Sequence, residues 1–208
     1  MAWTKFERLD IATALERLHA STARVVVIGL PTSRNSSYLR ASPDAPARVA
    51  AAVLREEGNP FAENGVDVSD RSLVRYLGAL GLDGDDEFDD IRRVAAEAFR
   101  LGRHPLFIGG DHSVTYPVVA GLHDVHGAVD IVHVDAHPDL YDELDGNRLS
   151  HASPFARILE AGYQLQIPRM FAALLLICAS GVAIVLVLGL VQHLILRRWH
   201  ESALKREG

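Results

Sequence analysis

Apolar residues along the chain change their period several times, and each change marks an element. Between residues 4 and 20, Leu9, Ala12, Leu15 and Leu18 recur at intervals of three or so, the spacing of an amphipathic helix. Arg24–Leu30 is a nearly unbroken apolar run, as expected of a strand covered on both faces. Pro31–Pro46 places Asn35, Ser36 and Ser37 ahead of two prolines and reads as loop. Ala47–Glu57 returns to helix and stops at Gly58-Asn59-Pro60. Val66–Val68 is a short strand candidate, and Asp70–Leu80 reads as a helical turn or loop. The acidic stretch Gly81–Asp90 leads into a helix over Phe88–Leu101, with Ile91, Val94, Ala95, Ala98 and Phe99 on one face and Gly102 as its stop. His104–Ile108 is a strand, followed by Gly109-Gly110-Asp111-His112-Ser113 and a helix over Val114–Val125, which Asp111 or Ser113 can cap. Val129–Val134 is again a strand, with Ile131, Val132 and Val134 β-branched. A polar loop containing Gly146-Asn147 then leads to a helix beginning over Ala156–Glu160. Strands alternating with helices predict the α/β class: a three-layer fold, a parallel sheet with helices on both faces.

The pattern then changes character. Met170–Leu196 is 27 residues without a charge, bounded by Arg169 on one side and by Arg197, Arg198 and Trp199 on the other. A bilayer core needs about 20 apolar residues, and basic and aromatic residues anchor such helices at the interface. The run predicts a C-terminal hydrophobic, transmembrane helix over 170–196. The expected organisation is an α/β body over 1–163, a junction over 164–169, the helix, and a basic polar tail over 197–208.

Charge sharpens this division. The chain carries net −6; residues 167–208 contribute +3, so residues 1–166 carry −9. An acidic body argues against nucleic acid as a partner. One cysteine, Cys178, excludes an internal disulfide and a multi-cysteine zinc site. Met1–Arg8 lacks the apolar core of a signal peptide, so the body is expected in the cytoplasm, membrane-attached through the C-terminal helix. The basic flank after that helix pulls the other way, since basic flanks favour the cytosolic side.

Candidate chemistry lies at two strand ends, where ligands collect in open α/β sheets. His112 follows Gly109-Gly110-Asp111. Asp135, His137 and Asp139 follow the strand at 129–134, spaced two apart. Side chains two apart on an extended backbone point the same way, so two carboxylates and an imidazole can aim at one point. Oxygen and imidazole ligands without thiolate suit manganese, iron or zinc. His133 shares the parity of Asp135 but lies deeper, and a supporting or packing role is expected for it. The acids between Asp83 and Asp90 lack the liganding order and terminal glutamate of a calcium loop and read as a solvated helix entry.

These motifs resemble the manganese ureohydrolases: arginase, agmatinase, guanidinobutyrase and relatives. The carriers are Gly109-Gly110-Asp111-His112-Ser113 and Asp135-Ala136-His137-Pro138-Asp139, supported by Gly29-Leu30-Pro31, Asn35-Ser36-Ser37 and Ser150-His151-Ala152-Ser153-Pro154-Phe155. The resemblance covers about residues 24–163, roughly the first half of a complete domain, and implies a partial arginase-like fold. In that family two manganese ions share a hydroxide that attacks a guanidino carbon and releases urea and an amine. By resemblance, His112 and Asp139 bind one ion, His137 binds the other, Asp135 bridges them, and His151 is a proton shuttle or substrate contact. The resemblance implies a small guanidino substrate such as arginine or agmatine, and admits a homo-oligomer.

The chain also departs from that pattern. After Asp139 its acids are Asp142, Glu143, Asp145, Glu160, Glu201 and Glu207, and no Asp-x-Asp occurs. Two of the six ligands expected by resemblance are therefore missing, and Asp142 and Glu143 are the nearest replacements. Weak or single-ion manganese binding is expected, with little hydrolysis by this chain alone. The segment from Ile167 to Glu201 resembles the last membrane helix of an ABC-transporter permease. The alternative to an active enzyme is thus a non-catalytic, membrane-attached fusion or truncated remnant.

Overall fold

The computed structural model describes residues 7–38, 40, 42–53, 58–160 and 167–204. The chain divides into two compact units, Met1–Tyr163 and Gln164–Gly208. In the first, elements follow in the order β1 (Arg8–Leu9), α1 (Ile11–Ala20), β2 (Val25–Leu30), α2 (Ala45–Val53), β3 (Val74–Leu80), α3 (Glu87–Arg100), β4 (His104–Gly109), α4 (Thr115–His126) and α5 (Pro154–Glu160). The strands form one parallel sheet in the order β1-β3-β2-β4.

The core follows from the alternation in β2. Val26, Ile28 and Leu30 are sealed against Leu18 of α1 and Ile91, Val94 and Ala98 of α3. Val27 is equally buried, and successive strand side chains face opposite ways. Its face is the one available to α2, which packs on β2 and β4 and buries Ala50. Helices therefore cover both faces of the sheet, as expected. The helix capped by Asp10, whose carboxylate accepts from the Thr13 N–H at 2.8 Å, begins at Ile11. Leu9, expected on that helix, instead pairs with Leu80 in the sheet.

Three other expectations change. Residues 74–80 form a strand rather than a turn. Leu73, Leu77 and Leu80 have helix-compatible spacing, but β3 is held on both sides by β1 and β2, and pairing of that kind overrides local preference. Its register against β2 slips between Val27 and Ile28, beside Gly78 at φ +133, where a Cβ would lie 2.6 Å from the Glu7 carbonyl oxygen. At 66–68 there is no strand, only an isolated antiparallel bridge between Phe61 and Asp67. The part of the expected second helix over 54–57 lies outside the described residues.

The third change is the largest. Residues 129–134 form no strand. Ile131, Val132 and Val134 are 43%, 90% and 93% exposed. A strand is stabilised by neighbours across the ladder and on its faces, and among the described residues none pairs with this segment. β4 is correspondingly an edge, with Leu106 53% exposed.

The second unit contains one helix, α6 (Ile167–Leu204). Its window Cys178–Ile195 has mean hydropathy 2.2 and none of it is buried. By length and composition it can cross a membrane. The expected junction at 164–169 falls partly outside the described residues, as do 205–208 of the expected tail.

Candidate metal centre

Two loop systems meet at the carboxyl end of the sheet. The first leaves β4. Its exit is tied to the exit of β2: the Gly110 N–H donates to the Leu30 carbonyl and the Asp111 N–H to the Thr32 carbonyl, both at 2.9 Å. This close approach requires glycine at 110, because a Cβ there would lie 1.9 Å from the Thr32 oxygen. Asp111 does not point at a ligand. Its carboxylate accepts from the Ser113 N–H (2.9 Å), the Ser113 hydroxyl (2.5 Å) and the Asn35 N–H (3.1 Å). It caps the short 3₁₀ turn His112–Val114, whereas α4 itself starts behind Val114 with no side-chain cap. This turn presents His112, whose side chain is 29% exposed.

The second system runs from residue 131 to α5. It bends at Asp135–His137. Asp139 follows in the left-handed region at φ 47, which aspartate tolerates better than most residues. Tertiary bonds hold it there: the Phe155 N–H donates to the Asp139 carbonyl (3.2 Å) and the Tyr141 N–H to the Ala152 carbonyl (3.1 Å). Asp142, Arg148, Arg157 and Glu160 lace the loop to α5, with Arg157 to Asp142 at 2.6 Å and Arg148 to Glu160 at 2.5 Å.

The two systems bring four side chains together. His112 Nδ1 lies 2.5 Å from Asp139 Oδ2 and 3.8 Å from Asp135 Oδ2. His133 Nε2 lies 3.6 Å from the same Asp135 oxygen. One donor atom each from His112, His133, Asp135 and Asp139 fall within 4.8 Å of one another. Ligands on opposite sides of an ion at about 2.0–2.4 Å lie roughly 4–4.8 Å apart, so the four fit around one cation. Two imidazoles and two carboxylates suit manganese, iron or zinc. Phe155 forms the apolar wall, its ring 4.2 Å from that of His133 and 6.1 Å from that of His112. The His137 N–H, bonded to Asp135 Oδ1 at 3.0 Å, is the main reason the Asp135 carboxyl titrates below the usual carboxylate range.

The fold agrees with known proteins. The model for the arginase family matches residues 23–171. The chain belongs to the arginase family. Its relatives include arginase 2 of Arabidopsis thaliana, 38% identical over 169 residues, covering 76% of this chain and 49% of the relative. The N(1)-aminopropylagmatine ureohydrolase of Thermus thermophilus is 36% identical over 149 residues, covering 69% and 49%. Among solved structures, arginase from Medicago truncatula superposes with a TM-score of 0.68 at 32% identity, covering 74% of this chain and 54% of that one. Agmatine ureohydrolase of Thermoplasma volcanium gives 0.59 at 30% identity, covering 72% and 50%. The chain spans about half the length of the curated relatives it matches.

Against this arginase-family frame, the structure gathers three of the four expected ligands, His112, Asp135 and Asp139. His137 stands apart with its side chain 80% exposed, its ring nitrogen 3.7 Å from Asp135. His133, expected in a supporting role, joins the group instead. Its signal was its position two before Asp135: those two remain on one side, whereas the bend after Asp135 turns His137 outward. Asp142, a possible substitute ligand, is committed to Arg148 and Arg157. His151 lies at the loop's far end, where its N–H and Nδ1 meet the Asn35 carbonyl at 3.0 and 3.2 Å. Sequence reasoning also treated the acidic helix entry as solvated. Asp83 and Asp85 are, but Glu87 is 4% exposed and accepts from the Thr32 hydroxyl.

Proposed function

We propose that this chain is the metal-binding portion of an arginase- or agmatinase-type ureohydrolase, acting on a guanidino compound to release urea. The observation that carries this reading is the convergence of His112, His133, Asp135 and Asp139 within 4.8 Å. His112, Asp135 and Asp139 would hold a first manganese, with His133 as a further donor. His137, on the exposed side of Asp135, would be the ligand left for a second, weakly bound ion. A divalent cation bound there would supply Lewis-acid chemistry, lowering the pKa of a water and polarising the guanidino group. The His137 N–H holds the Asp135 carboxyl below the usual carboxylate range, and Phe155 sets an apolar ring beside His133 and His112. The negative body charge suits a cationic guanidino substrate. His151 is assigned the role of proton shuttle or substrate contact.

The test couples two measurements on the full chain. Calorimetric titration with manganese should give close to one ion per chain. Urea assays with arginine, agmatine and guanidinobutyrate should give at most slow release from the chain alone. Absence of any manganese binding would sink the reading, and two tight ions per chain would overturn the single-ion part.

A second feature favours membrane attachment of the acidic body, with 1–163 as the body, 164–169 as junction, 170–196 in the bilayer and 197–208 as a polar tail. It rests on the apolar window Cys178–Ile195, and the body is placed on the cytoplasmic side. Recovery of the expressed chain in the soluble fraction after high-speed centrifugation would dismiss it.

A further inference from the structure

Asn35 is 8% exposed, and every polar group it has is used. Its N–H donates to Asp111 Oδ2 at 3.1 Å, and its amide Nδ2 donates to Ser113 Oγ at 3.2 Å. Its amide oxygen accepts from Asn147 Nδ2 at 3.0 Å. Its carbonyl accepts twice from His151, from the backbone N–H at 3.0 Å and from ring Nδ1 at 3.2 Å. A single residue in the loop after β2 therefore joins the turn that presents His112 to the loop that carries His151.

A carbonyl oxygen can only accept, so Nδ1 of His151 must carry a proton. In a neutral imidazole one nitrogen donates and the other accepts, and the bond made by the first decides the second. We infer that Asn35 is a positioning residue that fixes His151 as the Nδ1–H tautomer and leaves Nε2 as the free acceptor for a proton or a substrate N–H; the role given to Nε2 rests on the ureohydrolase reading above. The Asn35 side chain does not touch the ring. It acts by holding its own carbonyl in place through Ser113 on one side and Asn147 on the other. Asparagine is suited to this because its short amide donates and accepts at once. Alanine would lose both anchors. Aspartate would lose the donor to Ser113 and set a second carboxylate beside that of Asp111.

The test reads the tautomer directly. The full chain is labelled with ¹⁵N-histidine, and two-bond ¹H–¹⁵N correlations are recorded at neutral pH without metal or substrate. His151 is assigned by the signals lost in His151→Gln. A free neutral histidine favours Nε2–H, and a hydrogen bond of about 1 kcal/mol shifts the ratio roughly fivefold toward Nδ1–H, so in the unaltered chain the Nδ1–H form should be in excess. Asn35→Ala, with its far-UV circular dichroism retained, should lose that excess. If Asn35→Ala does not fold, Asn147→Ala carries the test: it removes the donor to the Asn35 amide oxygen, together with the acceptor of the Leu149 N–H, and leaves Asn35 itself in place; loss of the excess there supports the inference equally. An unaltered chain without the excess overturns it, as does retention of the excess in the folded variants. The readout needs no turnover, so its failure and the absence of urea release are separate results.

Discussion

Gly110→Ala is the substitution with the most sharply defined cost. The added methyl would lie 1.9 Å from the Thr32 carbonyl oxygen, 2.8 Å from the Thr32 carbonyl carbon and 2.9 Å from the Thr32 nitrogen. All three are backbone atoms, so no side-chain rotation relieves the contact. The loop leaving β4 must move away from the exit of β2. Overpacking of this kind costs about 1–3 kcal/mol. The movement also breaks the bonds from Gly110 to Leu30 and from Asp111 to Thr32, each worth about 1 kcal/mol. The total is about 3–5 kcal/mol. For a unit of this size each kcal/mol shifts Tm by roughly 2–4 °C, so the expected fall is about 6–20 °C. Urea titration followed by circular dichroism measures the free energy and a thermal scan the shift. Gly84→Ala is the control: the nearest atom to its added methyl is 3.8 Å away, and its effect should stay within about 0.5 kcal/mol. Manganese affinity should fall in Gly110→Ala, because Asp111 and His112 move with the loop. A loss below about 1 kcal/mol, with manganese affinity intact, would refute the claim that backbone contact at Thr32 sets the position of His112.

Asp139→Asn keeps a residue tolerant of the left-handed backbone but removes a charged donor; calorimetry should show manganese binding weakened by at least ~100-fold with little change in Tm. Burial pushes the Glu87 carboxyl above the usual glutamate range, so the native state holds its proton to higher pH than the unfolded chain does. Its contribution is therefore full below the ordinary glutamate range and is lost as pH rises through the raised value. Glu87→Gln should remove that slope from a stability-versus-pH curve measured by urea unfolding, and an unchanged slope would place its origin elsewhere. Val132→Asp should change stability by no more than about 0.5 kcal/mol, since Val132 is 90% exposed; a loss of several kcal/mol in chemical denaturation would mean that the segment is packed as a strand.

The chain's pattern by itself determined a good deal. The apolar run of β2, the single-faced helix α3, and the strand ending in two glycines before His112 form from local period and glycine punctuation alone. Those signals survive because each is satisfied by contacts the elements make wherever they pack. Asp135 and Asp139 were legible from their motif and spacing, although the strand expected to precede them does not form. Tertiary structure alone decided the rest. β3 exists because two neighbouring strands pair with it, and 129–134 fails to become a strand because none does. Parity along an extended chain predicts shared direction only while the chain stays extended. The bend at Asp135–His137 ends that condition, turning His137 outward and leaving His133 beside Asp135. Glu87 and Asn35 were silent in the sequence because an acid in an acidic run, or an asparagine in a loop, gains its meaning only from partners some 50 to 116 positions away, which no local pattern encodes.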